Sequence, residues 1–205
     1  ADEVVTYDTI GNPTRSSIDR NFDGVPDRIT SFEYDASGNR TREVYDFDGD
    51  GIIDYIKTYE YDADGNLTQE SLDNDGDGVA DDIEALEYDA NGNLISESFD
   101  TNGDGVADST RTYEYDASDN RTLVSFDTDG DGTVDRISTF EYDADGNEIS
   151  GSFDEDADGV ADSTRSYEYD ADSNRILESY DNDGDGNPDR IRTYDYDANG
   201  NLTLQ

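Results

Sequence analysis

One interval governs this sequence. Tyr-Asp recurs at Tyr7, Tyr34, Tyr61, Tyr88, Tyr115, Tyr142, Tyr169 and Tyr196, each 27 residues after the last. The chain is therefore a single repeat array, with units at 7–33, 34–60, 61–87, 88–114, 115–141, 142–168 and 169–195 and a partial unit at 196–205. A unit of this length cannot enclose a core, so neighbours must supply its burial.

The parts of a unit are legible between Arg28 and Asp54. "RITSFEYD" and "RTREVYD" alternate apolar and polar residues, the period of a strand, and "DASGN" between them is a hairpin turn with Gly38 in the left-handed position. Gly11, Gly65, Gly92, Gly146 and Gly200 stand at the same place, while Asp119 and Ser173 replace it, Ser being the poorer substitute. This predicts an all-β fold, an antiparallel β-hairpin meander curved or spiralled as a single sheet, with a β-solenoid as the alternative. A propeller is excluded because a blade needs four strands and a unit supplies two. If Asp35 pairs with Asn39, continuous pairing sets Tyr34 against Arg40, Phe32 against Arg42 and Ile29 against Tyr45. In that register 12 of the 13 basic residues share a face with the Tyr-Asp tyrosines, Arg20 being the exception. The row Tyr45, Leu72, Phe99, Phe126, Phe153 and Tyr180 then falls on the opposite face.

Between hairpins runs a stretch such as "YDFDGDGIID", Tyr45 to Asp54. Oxygen donors fall at positions 1, 3, 5 and 9, with Gly at position 6 and a backbone carbonyl at position 7, the spacing of the first part of an EF-hand calcium loop. The seven donor sets are Asp19, Asn21, Asp23, Val25 and Asp27; Asp46, Asp48, Asp50, Ile52 and Asp54; Asp73, Asp75, Asp77, Val79 and Asp81; Asp100, Asn102, Asp104, Val106 and Asp108; Asp127, Asp129, Asp131, Thr133 and Asp135; Asp154, Asp156, Asp158, Val160 and Asp162; and Asp181, Asp183, Asp185, Asn187 and Asp189. Only oxygen is offered, which selects a hard cation: Ca2+ at up to seven sites, ahead of magnesium. The bidentate Glu of position 12 is missing, since Thr30, Lys57, Glu84, Arg111, Ser138, Arg165 and Arg192 stand there and only Glu84 could serve. Water, a carbonyl or another acid must complete the coordination, placing affinity at the weak end, Kd about 10⁻⁴ to 10⁻³ M.

Charge explains why an ion is wanted. Asp and Glu number 55 against 13 Lys and Arg, a formal charge of −42. Seven divalent ions would bring this to about −28. Such a charge excludes nucleic acid and anionic membrane as partners, and no apolar run is long enough for membrane insertion. With no Cys, disulfides cannot stabilise an exported form. With no His or Cys, and every acid copied one period away, nothing distinguishes a catalytic site, so no enzyme is expected. The Asn-x-Thr sequences at Asn39, Asn66, Asn120 and Asn201 are read as turn residues.

The hairpins "YDADGNLT" (Tyr61 to Thr68) and "YDANGNLI" (Tyr88 to Ile95) resemble the YD or RHS repeats of bacterial surface and toxin-shell proteins. The Asp runs resemble the calcium loops of thrombospondin type 3 repeats and dockerins. The first likeness implies a spiralling sheet of hairpins, the second a calcium-dependent structure. The expected role is a calcium-binding structural repeat segment of a larger extracellular or cell-surface protein of bacterial origin, with self-association through edge strands as a liability. The alternative is an adhesin that binds a glycan or mineral surface through the Tyr and Arg face.

Overall fold

The computed structural model describes residues 2–197 and 199–204. It contains strands and turns, and no α-helix occurs among those residues, so no helix is long and apolar enough to cross a membrane. The chain forms two compact units that divide after Asp108. The first holds β1 (Asp2–Tyr7), β2 (Pro13–Asp19), β3 (Arg28–Tyr34), β4 (Arg40–Asp46), β5 (Tyr55–Tyr61), β6 (Leu67–Asp73), β7 (Asp82–Tyr88) and β8 (Leu94–Asp100). The second holds β9 (Ser109–Tyr115), β10 (Arg121–Asp127), β11 (Arg136–Tyr142), β12 (Glu148–Asp154), β13 (Ser163–Tyr169), β14 (Arg175–Asp181), β15 (Arg190–Thr193) and a closing hairpin of β16 (Asp195–Tyr196) and β17 (Leu202–Leu204). In each unit the strands up to β8 and from β9 to β15 lie side by side in chain order, antiparallel, without a crossover, and β16 pairs with β17 as a separate two-stranded sheet. This is the hairpin meander expected from the period, and neither unit closes into a barrel among the described residues.

The Tyr-Asp turn is built by its own side chains. The Asp35 carboxylate accepts the amides of Ser37 and Asn39 and the side-chain amide of Asn39, all within 3.0 Å, and Gly38 takes φ 90°. Asn66 and Asn120 make the same bond to Asp62 and Asp116, so these asparagines are turn residues. Asp119 and Ser173 adopt the left-handed conformation of the glycines they replace, at φ 63° and 61°.

Beyond the turn the expected register fails. Tyr34 does face Arg40, but Glu33 then faces Arg42, Phe32 faces Glu43, Thr30 faces Tyr45 and Ile29 faces Asp46. Thr41 is an extra residue, a β-bulge, and bulges recur in the hairpins of the other units. Since side chains alternate, a one-residue slip moves the rest of the second strand to the other face. Tyr45, Leu72, Phe99, Phe126, Phe153 and Tyr180 therefore join the tyrosines, and Arg42 and Arg15 leave them. The bulge is also where the next repeat is fastened. The hydroxyl of Tyr61 donates to the carbonyl of Arg40 at 3.0 Å, and Tyr142, Tyr169 and Tyr196 do the same to Arg121, Glu148 and Arg175.

Little apolar surface is hidden. Among the described residues, the buried hydrophobic side chains are Ile56, Val124 and Tyr194. On the aromatic face the corrected register places a row that alternation with the wrong phase concealed: Glu43, Glu70, Glu97 and Glu178 share that face with the aromatic rings and guanidinium groups. Glu178 is 2% exposed and Glu43 6%. Glu178 accepts from Tyr194 at 2.6 Å and Arg192 at 3.0 Å, with Arg175 at 3.3 Å. Glu43 accepts from Arg40 at 2.6 Å, Tyr59 at 3.0 Å and Tyr45. Lys57 pairs with Glu70 in the same way. In the next-to-last full hairpin Gly151 occupies the Glu position, and the carboxylate comes instead from Glu148, which holds Arg165 by two bonds of 2.7 and 3.0 Å. A side chain at Gly151 would meet the Arg165 Nε at 2.9 Å, so the guanidinium fills the place the glutamate has vacated. Charged pairs and cation–π contacts, such as Arg136 at 4.2 Å from the Phe126 ring, thus do the packing that apolar side chains do elsewhere.

Candidate metal centre

The Asp loops connect β2 to β3, β4 to β5, β6 to β7, β10 to β11, β12 to β13 and β14 to β15, and one follows β8. Each loop is a net of carboxylates that accept backbone amides. The first Asp ends a strand on the face opposite the tyrosines, and Asp46, Asp73, Asp100, Asp127, Asp154 and Asp181 are all buried. Its Oδ2 accepts the amide of the position-6 Gly in all seven loops, at 2.8 to 3.0 Å; Gly51 on Asp46 and Gly78 on Asp73 are examples. The position-9 Asp closes the loop from the other end. Its amide donates to the carbonyl of the strand residue before the first Asp, as Asp54 does to Tyr45 at 2.9 Å, and its carboxylate accepts the amide at position 2, as from Phe47 at 2.6 Å. Positions 3 and 5 accept the amides two residues on, Asp50 on Asp48 at 3.2 Å and Ile52 on Asp50 at 2.7 Å. This is the turn chemistry of Asp, used at every second residue.

Each carboxylate spends part of its acceptor capacity on the backbone and retains the rest. In five loops three carboxylates offer oxygens that lie within 4.8 Å of one another: Asp46, Asp48 and Asp50; Asp73, Asp75 and Asp81; Asp127, Asp129 and Asp135; Asp154, Asp156 and Asp162; and Asp181, Asp183 and Asp189. Positions 1, 3 and 9 converge in four of these, and positions 1, 3 and 5 in the Asp46 loop, which leaves Asp54 outside its cluster. Asp77, Asp131, Asp158 and Asp185 at position 5 hold the amides of Val79, Thr133, Val160 and Asn187 and stay outside the clusters. The repulsion of gathered carboxylates is visible at Asp183: the amide of Asp185 draws its pKa down, but the charges of Asp185 and Asp189, with burial, push it up overall.

The two loops with Asn at position 3 solve that repulsion internally. Asn21 Nδ2 donates to Asp27 Oδ1 at 3.3 Å, and Asn102 Nδ2 to Asp108 Oδ1 at 3.0 Å. A neutral amide bridges positions 3 and 9 there, where four other loops set two anions together. Asp23 and Asp104 in these loops accept the amides of Val25 and Val106. Position 12 is unable to contribute. Lys57, Arg165 and Arg192 are committed to Glu70, Glu148 and Glu178 on the aromatic face. Glu84 lies on that face as well, in register with Glu70 and Phe99, away from the first Asp of any loop. It therefore cannot serve as the missing bidentate ligand.

Sequence reasoning missed the role of position 4. Its amide donates to Oδ1 of the first Asp, from Gly49, Gly76, Gly103 and Gly130 at 2.6 to 2.8 Å. Its Cα faces the preceding loop so closely that a Cβ on Gly49 would fall 1.9 Å from the carbonyl oxygen of Pro26. Gly76 meets the carbonyl of Ile53, Gly103 that of Ala80 and Gly184 that of Ala161 in the same way, at 2.0 to 2.2 Å. Successive loops within a unit are thus in contact, position 4 on position 8. The signal was present as Gly in five loops at a place the calcium spacing leaves free.

No protein-family model and no curated protein sequence matches the chain. Its fold is shared with solved structures of much longer chains. One, the crystal structure of TcdB2-TccC3-Cdc42, superposes with a TM-score of 0.68 at 18% identity over 98% of this chain. Another, TcdB2-TccC3 without its hypervariable C-terminal region, gives 0.67 at 17% over the same share. The chain spans about a tenth of the length of each. At that identity the likeness is one of fold, and it agrees with the hairpin array that the resemblance to YD or RHS repeats implied.

Proposed function

We propose that this chain is a calcium-stabilised structural repeat segment of a larger secreted or cell-surface bacterial protein. The observation that carries the reading is the convergence of three carboxylate oxygens within 4.8 Å in five loops of one repeat. All donors are oxygen, the class that Ca2+ takes, and the position-7 carbonyls and water would complete the shell. An ion bound there relieves the repulsion that each loop otherwise confines, so binding contributes directly to folding. The chain's place within something larger is supported by the fold it shares with TcdB2-TccC3 chains ten times its length. The reading assigns no enzymatic activity and no nucleic-acid or membrane partner. Self-association through an outer strand such as β1 remains part of it, tempered by Asp2 and Glu3 on that strand.

The test is far-UV circular dichroism and thermal melting in EDTA, then with stepwise calcium and, separately, magnesium. Calcium is expected to raise the melting temperature and β-signal more than magnesium does. A melt indifferent to calcium would make the Asp loops self-sufficient turns and end the metal reading. The adhesive alternative finds less support, because Arg40, Lys57, Arg165, Arg175 and Arg192 on the aromatic face are held by Glu43, Glu70, Glu148 and Glu178.

A further inference from the structure

The loop between β12 and β13 departs from the others at one atom. Position 4 is Ala157, in the left-handed region at φ 53°. By repeat equivalence the carbonyl it would face belongs to Val134, the counterpart of the carbonyls that a Cβ on Gly49, Gly76, Gly103 or Gly184 would meet. The amide that donates to Oδ1 of the first Asp from Phe22, Gly49, Gly76, Gly103 and Gly130 does not do so here. Asp154 Oδ2 keeps its bond from Gly159 at 2.9 Å, while Oδ1 is buried with no hydrogen-bond partner. The residue is 8% exposed, and it belongs to the cluster with Asp156 and Asp162. A buried carboxylate oxygen with nothing to satisfy it is costly, and a cation is the partner its neighbours are arranged to accept. Glu155, at position 2, adds a fifth acid to this loop that no other loop has, and its side chain is only distantly paired with Arg136 at 3.5 Å.

We propose that the Asp154 loop is the tightest cation site of the array, a Ca2+-class site in which the ion replaces the amide donor that Ala157 withholds. The inference rests on the metal reading of the loops given above and adds an order to their filling. The other loops satisfy Oδ1 without an ion, so they gain less by binding one. The Asn21 and Asn102 loops, bridged by their own amides, fill last.

Calcium titrated into the EDTA-stripped, desalted full chain tests this, with calorimetry and ¹⁵N-resolved amide spectra as readouts. The first equivalent is expected to shift the amides of Gly159 and Val160 before those of other loops. One site should bind at least about tenfold more tightly than the rest. Ala157→Gly restores the donor and should remove that distinct site while leaving the others; it should also raise the melting temperature in EDTA and lessen the gain from calcium. Asp154→Asn should lose the same site, which keeps the test valid if the glycine variant alters folding. Uniform affinities that Ala157→Gly leaves unmoved would overturn the proposal and leave the calcium reading standing. No calcium uptake by any loop would overturn both.

Discussion

Glu178 shows what a single side chain does in a molecule with so little apolar core. It is the most buried large side chain described, and the Tyr194 hydroxyl, outweighing burial together with Arg192 and Arg175, holds its carboxyl below the ordinary glutamate range. Removing one partner of a buried charge cluster leaves the others uncompensated. Glu178→Ala should therefore cost about 3 kcal/mol, and Glu178→Gln, which keeps the shape, about 1 to 2 kcal/mol, read from urea unfolding in calcium. Burial works likewise against Glu43, but the Tyr45, Arg40 and Tyr59 donors outweigh it and hold that carboxyl down, while the Tyr45 hydroxyl, buried and bound to Glu43, is pushed up to about 12. A second residue-scale contrast separates backbone conformation from contact. Gly49 and Gly51 both have positive φ, 74° and 88°, but a Cβ on Gly51 meets nothing within 4 Å. Gly51→Ala should cost only the conformational term, about 1 kcal/mol, and Gly49→Ala clearly more, because the Pro26 carbonyl must move. Equal losses in parallel melts would show that the loops do not touch in solution.

At the scale of the element, the hairpin turn sets the response to acid. The carboxyls of Asp62, Asp116, Asp143, Asp170 and Asp197 are lowered, first by the side-chain amide of the turn Asn and then by turn backbone amides. A group lowered in the folded state stabilises it fully above its unfolded value, about 4, and that stability is lost as pH falls through the lower folded value. Melts in EDTA from pH 6 to pH 2.5 should therefore hold level and then drop below pH 4, and Asp62→Asn should blunt the drop. Hairpins, turns and loop positions were legible in the sequence because each is a local pattern written many times over. The register past the turn was not, because Thr41 looks like any strand residue and a bulge has no composition of its own. The clue lay in the aromatics: only a one-residue slip gathers Phe32, Tyr34 and Tyr45 on one face. Glu43 was hidden by the same error, since without the bulge it falls among the acids of the opposite face. The three-carboxylate clusters were legible from spacing, whereas the exclusion of Glu84 required knowing which face it occupies.

For the whole molecule the governing quantity is a formal charge of −42 on 205 residues. Self-repulsion of that size opposes the compact state and is screened by salt, with a Debye length near 10 Å at 0.1 M. In EDTA the melting temperature should rise steadily with sodium chloride up to about 0.5 M, and in saturating calcium the same salt series should have a much smaller effect. A salt response unchanged by calcium would mean that the ion neutralises little of the charge that matters. The repeats are meanwhile fastened along two margins: tyrosine hydroxyls reach bulge carbonyls near the hairpin turns, and position-4 glycines press on carbonyls of the preceding loop. Mechanically, where both contacts occur in one pair of neighbouring repeats, as at Tyr61 with Gly76 and at Tyr169 with Gly184, the pair is a seam stitched on both sides. A load that peels one margin open is resisted by the other acting as a fulcrum, so failure requires both lines of stitching to yield within the same repeat, and a tear begun at one seam has no easier path into the next.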